Sequence, residues 1–259
     1  MILQLGRFAN DCYHILRAPT GSRPALLKGL VIPTGKKMGF QVTHFDRRTL
    51  NHLYREVFAR QHYYFSAGND APVILDCGAN IGMASLYFKW LYPKSRVLAF
   101  EPDPVTFQLL QHNVRTNQLD IETHNCALWD KEEQIDFFVD SRNPGTLLMS
   151  ADPLRLDGTP VQVSARRLSS FIQGTVDFLK LDVEGAEHRV LCDLVQSKKL
   201  PLIRRLVIEY HHRIGGQKSC LGDFLLKLEQ AGFQYEICAA VYPLMAVNSY
   251  QDVLIGAYQ

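Results

Sequence analysis

Acidic side chains stand at the ends of the apolar segments that this sequence predicts as strands. A segment that ends in this way places a carboxylate where open parallel α/β sheets bind their ligands. Carboxylates and histidines gathered there could accept a proton, bind hydroxyl groups or hold a divalent cation. A set of this size indicates a site rather than scattered surface charge. The polar residues at these ends are Asp76, Glu101, Asn125, Asp182, Glu184, Glu209, His211 and His212.

The turn after the first of these segments, residues 76–82, reads DCGANIG. Gly78 and Gly82 allow a positive φ and a close approach of the backbone to a ligand. The helix that starts near Ile81 directs its free N–H groups to the same place. The dinucleotide fingerprint G-x-G-x-x-G is absent because position 80 is Asn80, and Asp76 would repel a pyrophosphate. The turn therefore favours a ligand with a cationic centre and without a phosphate.

Glu101 ends the next strand, and an acid at this place can accept both ribose hydroxyls of a nucleoside. Together with the glycine turn it describes a nucleoside pocket without a phosphate cradle, which points to S-adenosylmethionine. We expect the sulfonium and amino acid groups near residues 76–82 and the ribose at Glu101. We expect the adenine beside Asn125, Cys126 and Ala127.

Strands alternate with helices from residue 73 onward. This alternation, with strands that are apolar throughout, predicts a mostly parallel sheet covered by helices on both faces. The predicted helices of this part are 81–92, 104–117, 187–195 and 220–233. The predicted strands are 72–78, 96–102, 121–128, 176–185 and 202–212.

Residues 133–165 interrupt the alternation. EQIDFFVD and PVQVSAR have the period of two strands, and a loop rich in proline and glycine, 143–158, joins them. We interpret them as a β-hairpin insertion over the sheet edge. The last segments, QYEICAAV and DVLIGAY, have no helical pattern between them, which predicts an antiparallel pair at the edge of the sheet.

The N-terminal part differs from the rest in its pattern. Residues 1–45 are punctuated by proline and glycine, which predicts irregular or short-stranded structure. Residues 46–60 carry apolar side chains at helical spacing, with Asp46 as the cap. We therefore expect an N-terminal extension over residues 1–70, with a helix at about 46–60, and the main domain over residues 71–259.

The composition is that of a globular protein. The 259 residues hold 28 Lys and Arg against 26 Asp and Glu, so no cationic excess favours nucleic-acid binding. No apolar run approaches the ~18–20 residues of a membrane span, and the N-terminus lacks the pattern of a secretory signal. Six cysteines form no CxxC pair, which argues against a zinc knuckle and favours reduced thiols in a cytoplasmic protein.

The motifs VILDCGANIG, FEPDP, NCAL, LKLDVEGAE and VIEYHH resemble, in this order and spacing, the FkbM family of S-adenosylmethionine-dependent methyltransferases. The resemblance covers roughly residues 60–212. It implies a Rossmann-like class I methyltransferase fold of about seven strands, the last one antiparallel, and methyl transfer to a hydroxyl of a sugar or polyketide-type small molecule. It implies an acid cluster facing the acceptor at Asp182, Glu184 and Glu209. The predicted cofactor-binding residues are Asp76, Gly78, Asn80, Ile81, Gly82, Glu101, Pro102, Asn125 and Ala127.

Two mechanisms are open for the acceptor hydroxyl, which must lose its proton during methyl transfer. In the first, which we favour, the site holds no metal, His211 or His212 is the general base, and the acids bind the hydroxyls of the acceptor. In the second, Asp182, Glu184 and Glu209 hold a divalent cation together with a histidine, and the cation acidifies the hydroxyl. Carboxylate spacing alone does not distinguish the two.

Two other functions fit the same sheet. A nicotinamide-dependent oxidoreductase is disfavoured by Asn80 and by the missing third glycine. A non-catalytic nucleoside-binding module would be expected to lose the acids or the glycine turn, and both are present. Because loops usually set acceptor choice, we expect residues 140–160, residues 211–220 and the N-terminal segment to select the acceptor.

Overall fold

A computed structural model describes residues 32–33, 39–214, 218, 220–239 and 251–259, so most of the segment 1–45 lies outside the described residues. The strands of the described part are β1 (Ile32–Pro33), β2 (Gly39–Phe40), β3 (Val73–Cys77), β4 (Arg96–Phe100), β5 (Ile121–His124), β6 (Ala127–Trp129), β7 (Glu133–Val139), β8 (Thr159–Arg167), β9 (Phe178–Leu181), β10 (Arg205–His212), β11 (Gln234–Ala239) and β12 (Gln251–Tyr258). The α-helices of that part are α1 (Arg47–Tyr54), α2 (Met83–Leu91), α3 (Pro104–Thr116), α4 (Glu187–Gln196) and α5 (Leu221–Gln230).

Seven strands form the central sheet, in the order β11-β12-β10-β9-β3-β4-β5. β10, β9, β3, β4 and β5 run parallel to one another, and β12 is antiparallel to both β10 and β11. All four residues of β9 are buried, as expected where helices cover both faces. The predicted parallel sheet and its antiparallel final pair are therefore confirmed, with β12 lying between β10 and β11.

The two faces of the sheet have separate apolar cores. Successive side chains of a strand point to opposite faces, so Leu75 packs in one core with Leu191 of α4. The preceding residue, Ile74, packs in the other core with Phe88 of α2 and with Phe58. Phe58 follows α1, so the helix of the N-terminal extension is part of the same packed unit as the sheet.

The helix predicted over residues 46–60 is present but changes its winding. Asp46 caps α1 by accepting a hydrogen bond from the N–H of Thr49 at 2.9 Å. After Tyr54 the chain continues as a π-helical segment, Arg55–Ala59, in which the N–H of Arg60 donates to the carbonyl of Arg55 at 2.8 Å. None of the described helices is long and apolar enough to cross a membrane.

The single strand expected at residues 121–128 is corrected to two. β5 belongs to the central sheet, whereas β6 pairs with β8 in a separate sheet of three strands ordered β6-β8-β7. The chain leaves the central sheet at Asn125, whose side-chain amide donates to the carbonyls of Glu101 and Pro102, both at 2.9 Å. The predicted hairpin is confirmed, because β7 and β8 pair antiparallel.

Candidate cofactor and acceptor site

A cavity opens beyond the carboxyl ends of β3, β4, β9 and β10, which is where ligands bind in open α/β sheets. Residues from the turn after β3, from α1, from β10 and β12 and from the loop between β7 and β8 line it. It brings together most of the predicted site residues. Those that line it are Gly78, Asn80, Glu101, Pro102, Ala127, Asp182, Glu184, Glu209 and His211.

The turn after β3 is packed directly against its neighbours in the sheet. Gly78 has φ +83°, and a Cβ atom there would lie 1.7 Å from the carbonyl oxygen of Asp182. The N–H groups of Gly78 and Ala79 both donate to the carbonyl of Phe100, at 3.1 and 2.8 Å. Only glycine fits at position 78, because any side chain would separate the turn from the loop after β9.

Asn80 explains why this turn departs from the dinucleotide fingerprint. Its backbone lies in the left-handed region, with φ +48°, which asparagine tolerates better than most residues. Its N–H donates to Oε2 of Glu101 at 2.9 Å, and its own Oδ1 accepts from the N–H of Ile81 at 2.8 Å. Asn80 therefore ties the glycine turn to the carboxylate that follows β4.

Glu101 is a buried carboxyl that still faces the cavity. It is 4% exposed and accepts hydrogen bonds from the N–H groups of Asn80 and Asp103, the second at 3.0 Å. Burial raises the pKa of Glu101 to about 8, against the opposing effect of these two donors. Each oxygen keeps a second lone pair, so the carboxyl can accept both hydroxyls of a ribose.

Four predicted cofactor residues are not among those that line the cavity. Asp76 is fully buried, and its Oδ2 accepts a hydrogen bond from Ser85 Oγ at 2.6 Å. Asn125 is occupied by the two backbone carbonyls that hold the end of β5. Ile81 is buried in the apolar core, and Gly82 starts α2 with φ +95°. These four residues shape the turns around the cavity rather than its surface.

Lys180 is a site residue that the sequence analysis missed. Its side chain is 4% exposed, and its Nζ donates to the carbonyl of Gly78 at 2.7 Å. The same Nζ lies 3.1 Å from Oδ2 of Asp182 and 3.5 Å from Oδ1 of Asp76. A lysine within the otherwise apolar strand FLKL was the available signal, because lysine is almost never fully buried unless it is paired.

His211 is held between two carboxylates. Its Nδ1 lies 2.9 Å from Oε1 of Glu187, and its Nε2 lies 3.2 Å from Oε2 of Glu184. Although burial opposes its charge, Glu187 and Glu184 hold the pKa of His211 well above its usual range. Both ring nitrogens of His211 are engaged by carboxylates of the protein, which argues against the predicted role of general base.

The structure places His212 away from the cavity. Because successive side chains of β10 point to opposite faces, His211 and Glu209 share the cavity side whereas His212 does not. The ring of His212 lies beside that of Tyr210, with 6.1 Å between the centroids. His212 therefore lies outside the residues that line the cavity.

Glu209 is a partly buried carboxyl that lines the cavity and has a raised proton affinity. Burial, followed by the nearby charge of Asp182, raises the pKa of Glu209 to about 9. The pairing of β9 with β10 sets Val207 beside Lys180, so two residues further on Glu209 comes beside Asp182. The site thus places a carboxyl of raised proton affinity beside an ion-paired one.

Three of the lining residues could offer ligands to a metal ion. One ligand atom each from Asp182, Glu184 and His211 lies within 4.8 Å of the others. In the structure Asp182 is paired with Lys180, and Glu184 is paired with Arg155 and with His211. A divalent cation bound there would have to displace these ion pairs.

The insertion between β7 and β8 contributes to the site. Arg155, whose side chain is 3% exposed, forms an ion pair with Glu184. Ser150 Oγ donates to the carbonyl of Glu184 at 2.6 Å, and the amide of Asn80 reaches the carbonyl of Gly145 at 3.4 Å. The insertion is therefore fastened to both turns that flank the cavity.

The N-terminal helix supplies another part of the lining. His52 and Glu56 lie one turn apart, with 3.2 Å between Nε2 and Oε2, and both face the cavity. Tyr63 follows, and its buried ring lies 5.4 Å from Nζ of Lys180. No motif marked these residues, because their role depends on packing against distant strands.

The topology and the cavity define a class I methyltransferase fold, a Rossmann-like α/β architecture. The chain belongs to the FkbM methyltransferase family, since the model of the methyltransferase FkbM domain matches residues 76–235. The resemblance found in the motifs is therefore confirmed. The family assignment favours a methyltransferase over the nicotinamide-dependent oxidoreductase that the sheet alone would allow.

Three similar methyltransferases support this assignment. The chain is 32% identical over 179 residues to Methyltransferase 1 of Beauveria bassiana, a match that covers 61% of this chain and 72% of that protein. It is 29% identical over 248 residues to 31-O-demethyl-FK506 methyltransferase FkbM of Streptomyces tacrolimicus, covering 83% of this chain and 93% of that protein. It is 31% identical over 139 residues to 2-O-methyltransferase NoeI of Sinorhizobium fredii, covering 46% of this chain and 56% of that protein.

A solved structure supports the fold. The crystal structure of methyltransferase FkbM from Methylobacillus flagellatus KT superimposes with a TM-score of 0.52 and 19% identity. The match covers 79% of this chain and 48% of that chain, so this chain corresponds to about half of the solved one.

Proposed function

We propose that the protein transfers the methyl group of S-adenosylmethionine to a hydroxyl group of a small molecule. The observation that carries this proposal is one cavity with two parts. A glycine turn and Glu101 suit a nucleoside, and a cluster of acids stands beside them. The names of two relatives, 31-O-demethyl-FK506 methyltransferase and 2-O-methyltransferase, denote transfer to oxygen and support the same reaction here.

The cofactor part of the cavity is proposed to bind S-adenosylmethionine by its nucleoside. Glu101 would accept the ribose hydroxyls, and the apolar lining at Pro102, Cys126 and Ala127 would contact the adenine. Asp182 supplies negative charge where the positive sulfur is expected. When bound, S-adenosylmethionine supplies an electrophilic methyl group.

Glu209 is proposed as the general base. Its carboxyl lines the cavity, and a carboxylate with a pKa raised to about 9 accepts a proton more strongly than an ordinary one once it is ionised. Ionisation of Glu209 is favoured by positive charge in the same cavity. Removal of the hydroxyl proton makes the acceptor oxygen a better nucleophile for the in-line displacement.

His211 is proposed to orient the acids rather than to take the proton. Its imidazolium bridges Glu187 and Glu184, and Arg155 pairs with Glu184 from the insertion. These contacts fix Glu184, which would then accept a hydrogen bond from the acceptor. Alignment of the hydroxyl with the methyl group contributes much of the rate in such a reaction.

The charges of the lining favour an uncharged acceptor. Each cation among the described lining residues is paired with a carboxylate of the protein, so an anionic acceptor would meet no unpaired positive group. The loop of the insertion adds the apolar side chains Leu147, Leu148 and Met149. An acceptor with hydroxyl groups on one part and hydrocarbon on another suits this combination, as expected for a sugar or polyketide-type metabolite.

The test is a methyl-transfer assay with S-adenosylmethionine labelled on its methyl group. The acceptor panel pairs hydroxylated sugars and macrolides with their carboxylate analogues, and each reaction runs with and without chelator. We expect label in an uncharged acceptor, S-adenosylhomocysteine in equal amount and no effect of chelator. Glu209→Gln is expected to lower kcat by roughly 10²–10⁴-fold, the usual contribution of a general base.

His212→Asn is the matched variant on the same strand, and we expect it to leave kcat unchanged. The proposed base would be refuted by wild-type kcat in Glu209→Gln. Activity that chelator abolishes and Mg²⁺ restores would refute the metal-free mechanism. Binding of S-adenosylmethionine without transfer to any member of the panel would favour a non-catalytic nucleoside-binding module.

A further inference from the structure

We propose that Lys180 is a positioning residue that couples the cofactor turn to the acid cluster. This inference rests on the proposed function, because both groups it joins belong to the proposed site. Nothing in the motif pattern assigned Lys180 a role, and its contacts are with the turn after β3 and the loop after β9.

The pairing of the strands places Lys180 between these groups. In the parallel ladder of β3 and β9, Asp76 and Lys180 are direct partners, so their side chains point to the same face. The side chain two residues further along β9 points to that face as well, and it is Asp182. Lys180 is thereby flanked by the carboxylate of Asp76 on β3 and by that of Asp182 on the loop after β9.

The ammonium makes contacts with both loops at once. Nζ lies 2.7 Å from the carbonyl oxygen of Gly78 and 3.1 Å from Oδ2 of Asp182. The ring of Tyr63 closes one side at 5.4 Å. These contacts fix the direction of the Gly78 carbonyl in the cofactor turn and the direction of the Asp182 carboxylate at the acceptor.

Stability alone does not explain a lysine at this position. A buried ion pair pays a large desolvation penalty, and its replacement by apolar residues is often neutral or stabilising. Phe178, two residues earlier in β9 and on the same face, shows what an apolar side chain on this face resembles. The contacts of the ammonium with two loops of the cavity therefore indicate a role in ligand binding.

Charge balance gives Lys180 a second effect on the cavity. When ionised, the carboxylates of Asp76 and Asp182 and the ammonium of Lys180 together carry a net charge of minus one. This charge matches the single positive sulfur of S-adenosylmethionine. Without Lys180 the two carboxylates would be left without their shared partner. Loss of the Lys180 ammonium would therefore disturb both the glycine turn at Gly78 and the Asp182 carboxylate.

The test compares two buried lysines by titration calorimetry with S-adenosylhomocysteine. Lys180→Met is expected to weaken binding by at least about tenfold, the scale of a lost hydrogen bond to a charged group. The control is Lys89→Met in α2. Lys89 is also 4% exposed and donates to a backbone carbonyl, that of Ser95, but it does not line the cavity. Both variants are expected to lower Tm, whereas Lys89→Met should bind S-adenosylhomocysteine within about twofold of wild type.

A second variant keeps the proposal open to refutation if Lys180→Met does not fold. Lys180→Gln retains a donor for the Gly78 carbonyl but removes the charge, and we expect intermediate binding, about three- to tenfold weaker than wild type. The proposal is overturned if either folded variant binds as tightly as Lys89→Met. If the wild-type protein binds neither S-adenosylhomocysteine nor S-adenosylmethionine, the proposed function fails rather than the role of Lys180.

Discussion

The proton affinity of individual side chains in this site depends on the groups that contact them. His211 and His212 are neighbours in the sequence, yet one is clamped by Glu187 and Glu184 and the other lies on the opposite face of β10. Residue type suggested a histidine base, because the ordinary pKa of histidine lies near neutrality. We propose Glu209 for that role instead, a carboxyl whose pKa burial raises to about 9.

Glu101 gives the protein a pH dependence that can be measured without any ligand. Its pKa is about 8 in the folded protein against an ordinary value of 4.5. Below about pH 4.5 both states are protonated and the contribution to stability is complete. Between about pH 4.5 and 8 the unfolded chain releases the proton first, so the free energy of unfolding falls by about 1.4 kcal/mol per pH unit.

Glu101→Gln removes this dependence. We expect the variant to gain stability relative to wild type as the pH rises from 5 to 8, as measured by urea unfolding. Glu133→Gln, at an exposed position of β7, is the control and should give a constant difference. A constant difference for Glu101→Gln would show that the carboxyl ionises normally in the folded protein.

Among the elements, the turn after β3 depends most strictly on one residue. At Gly78 a Cβ atom would lie 1.7 Å from the carbonyl oxygen of Asp182, and φ is +83°. Gly78→Ala is therefore expected to lower the free energy of unfolding by about 2 kcal/mol or more and to abolish binding of S-adenosylhomocysteine. Urea unfolding and calorimetry measure the two effects.

Gly174→Ala is the matched control, because a Cβ at Gly174 meets nothing within 4 Å. It should change stability by no more than about 0.5 kcal/mol. If Gly78→Ala is as stable as Gly174→Ala and binds the ligand normally, the turn is not packed against the loop after β9 as described.

Elements with a strong local signal were predictable from the sequence. Periodicity and caps gave α1, α2 and α3 within a few residues, and the apolar strands gave the parallel sheet. The division between β5 and β6 was not predictable, because it depends on the amide of Asn125 bonding to the carbonyls of Glu101 and Pro102. The π-helical segment after α1 has no local signal in the sequence either.

The whole molecule assembles the site from parts that are distant in the chain. Motifs at strand ends identified Glu101, Asp182 and Glu209, because the carboxyl ends of parallel strands meet at one edge. Glu56 and Arg155 could not be identified in this way, since they lie in the N-terminal helix and in the insertion. These two regions line the cavity, and we propose that they contact the acceptor.

A crystal structure of the protein with S-adenosylhomocysteine tests the central claim most directly. We expect the ribose hydroxyls at about 2.7 Å from the oxygens of Glu101, the usual length of a strong hydrogen bond, and the adenine beside Ala127. The sulfur should face Asp182 and Glu209. A ligand bound outside this cavity, or with its ribose turned away from Glu101, would contradict the account.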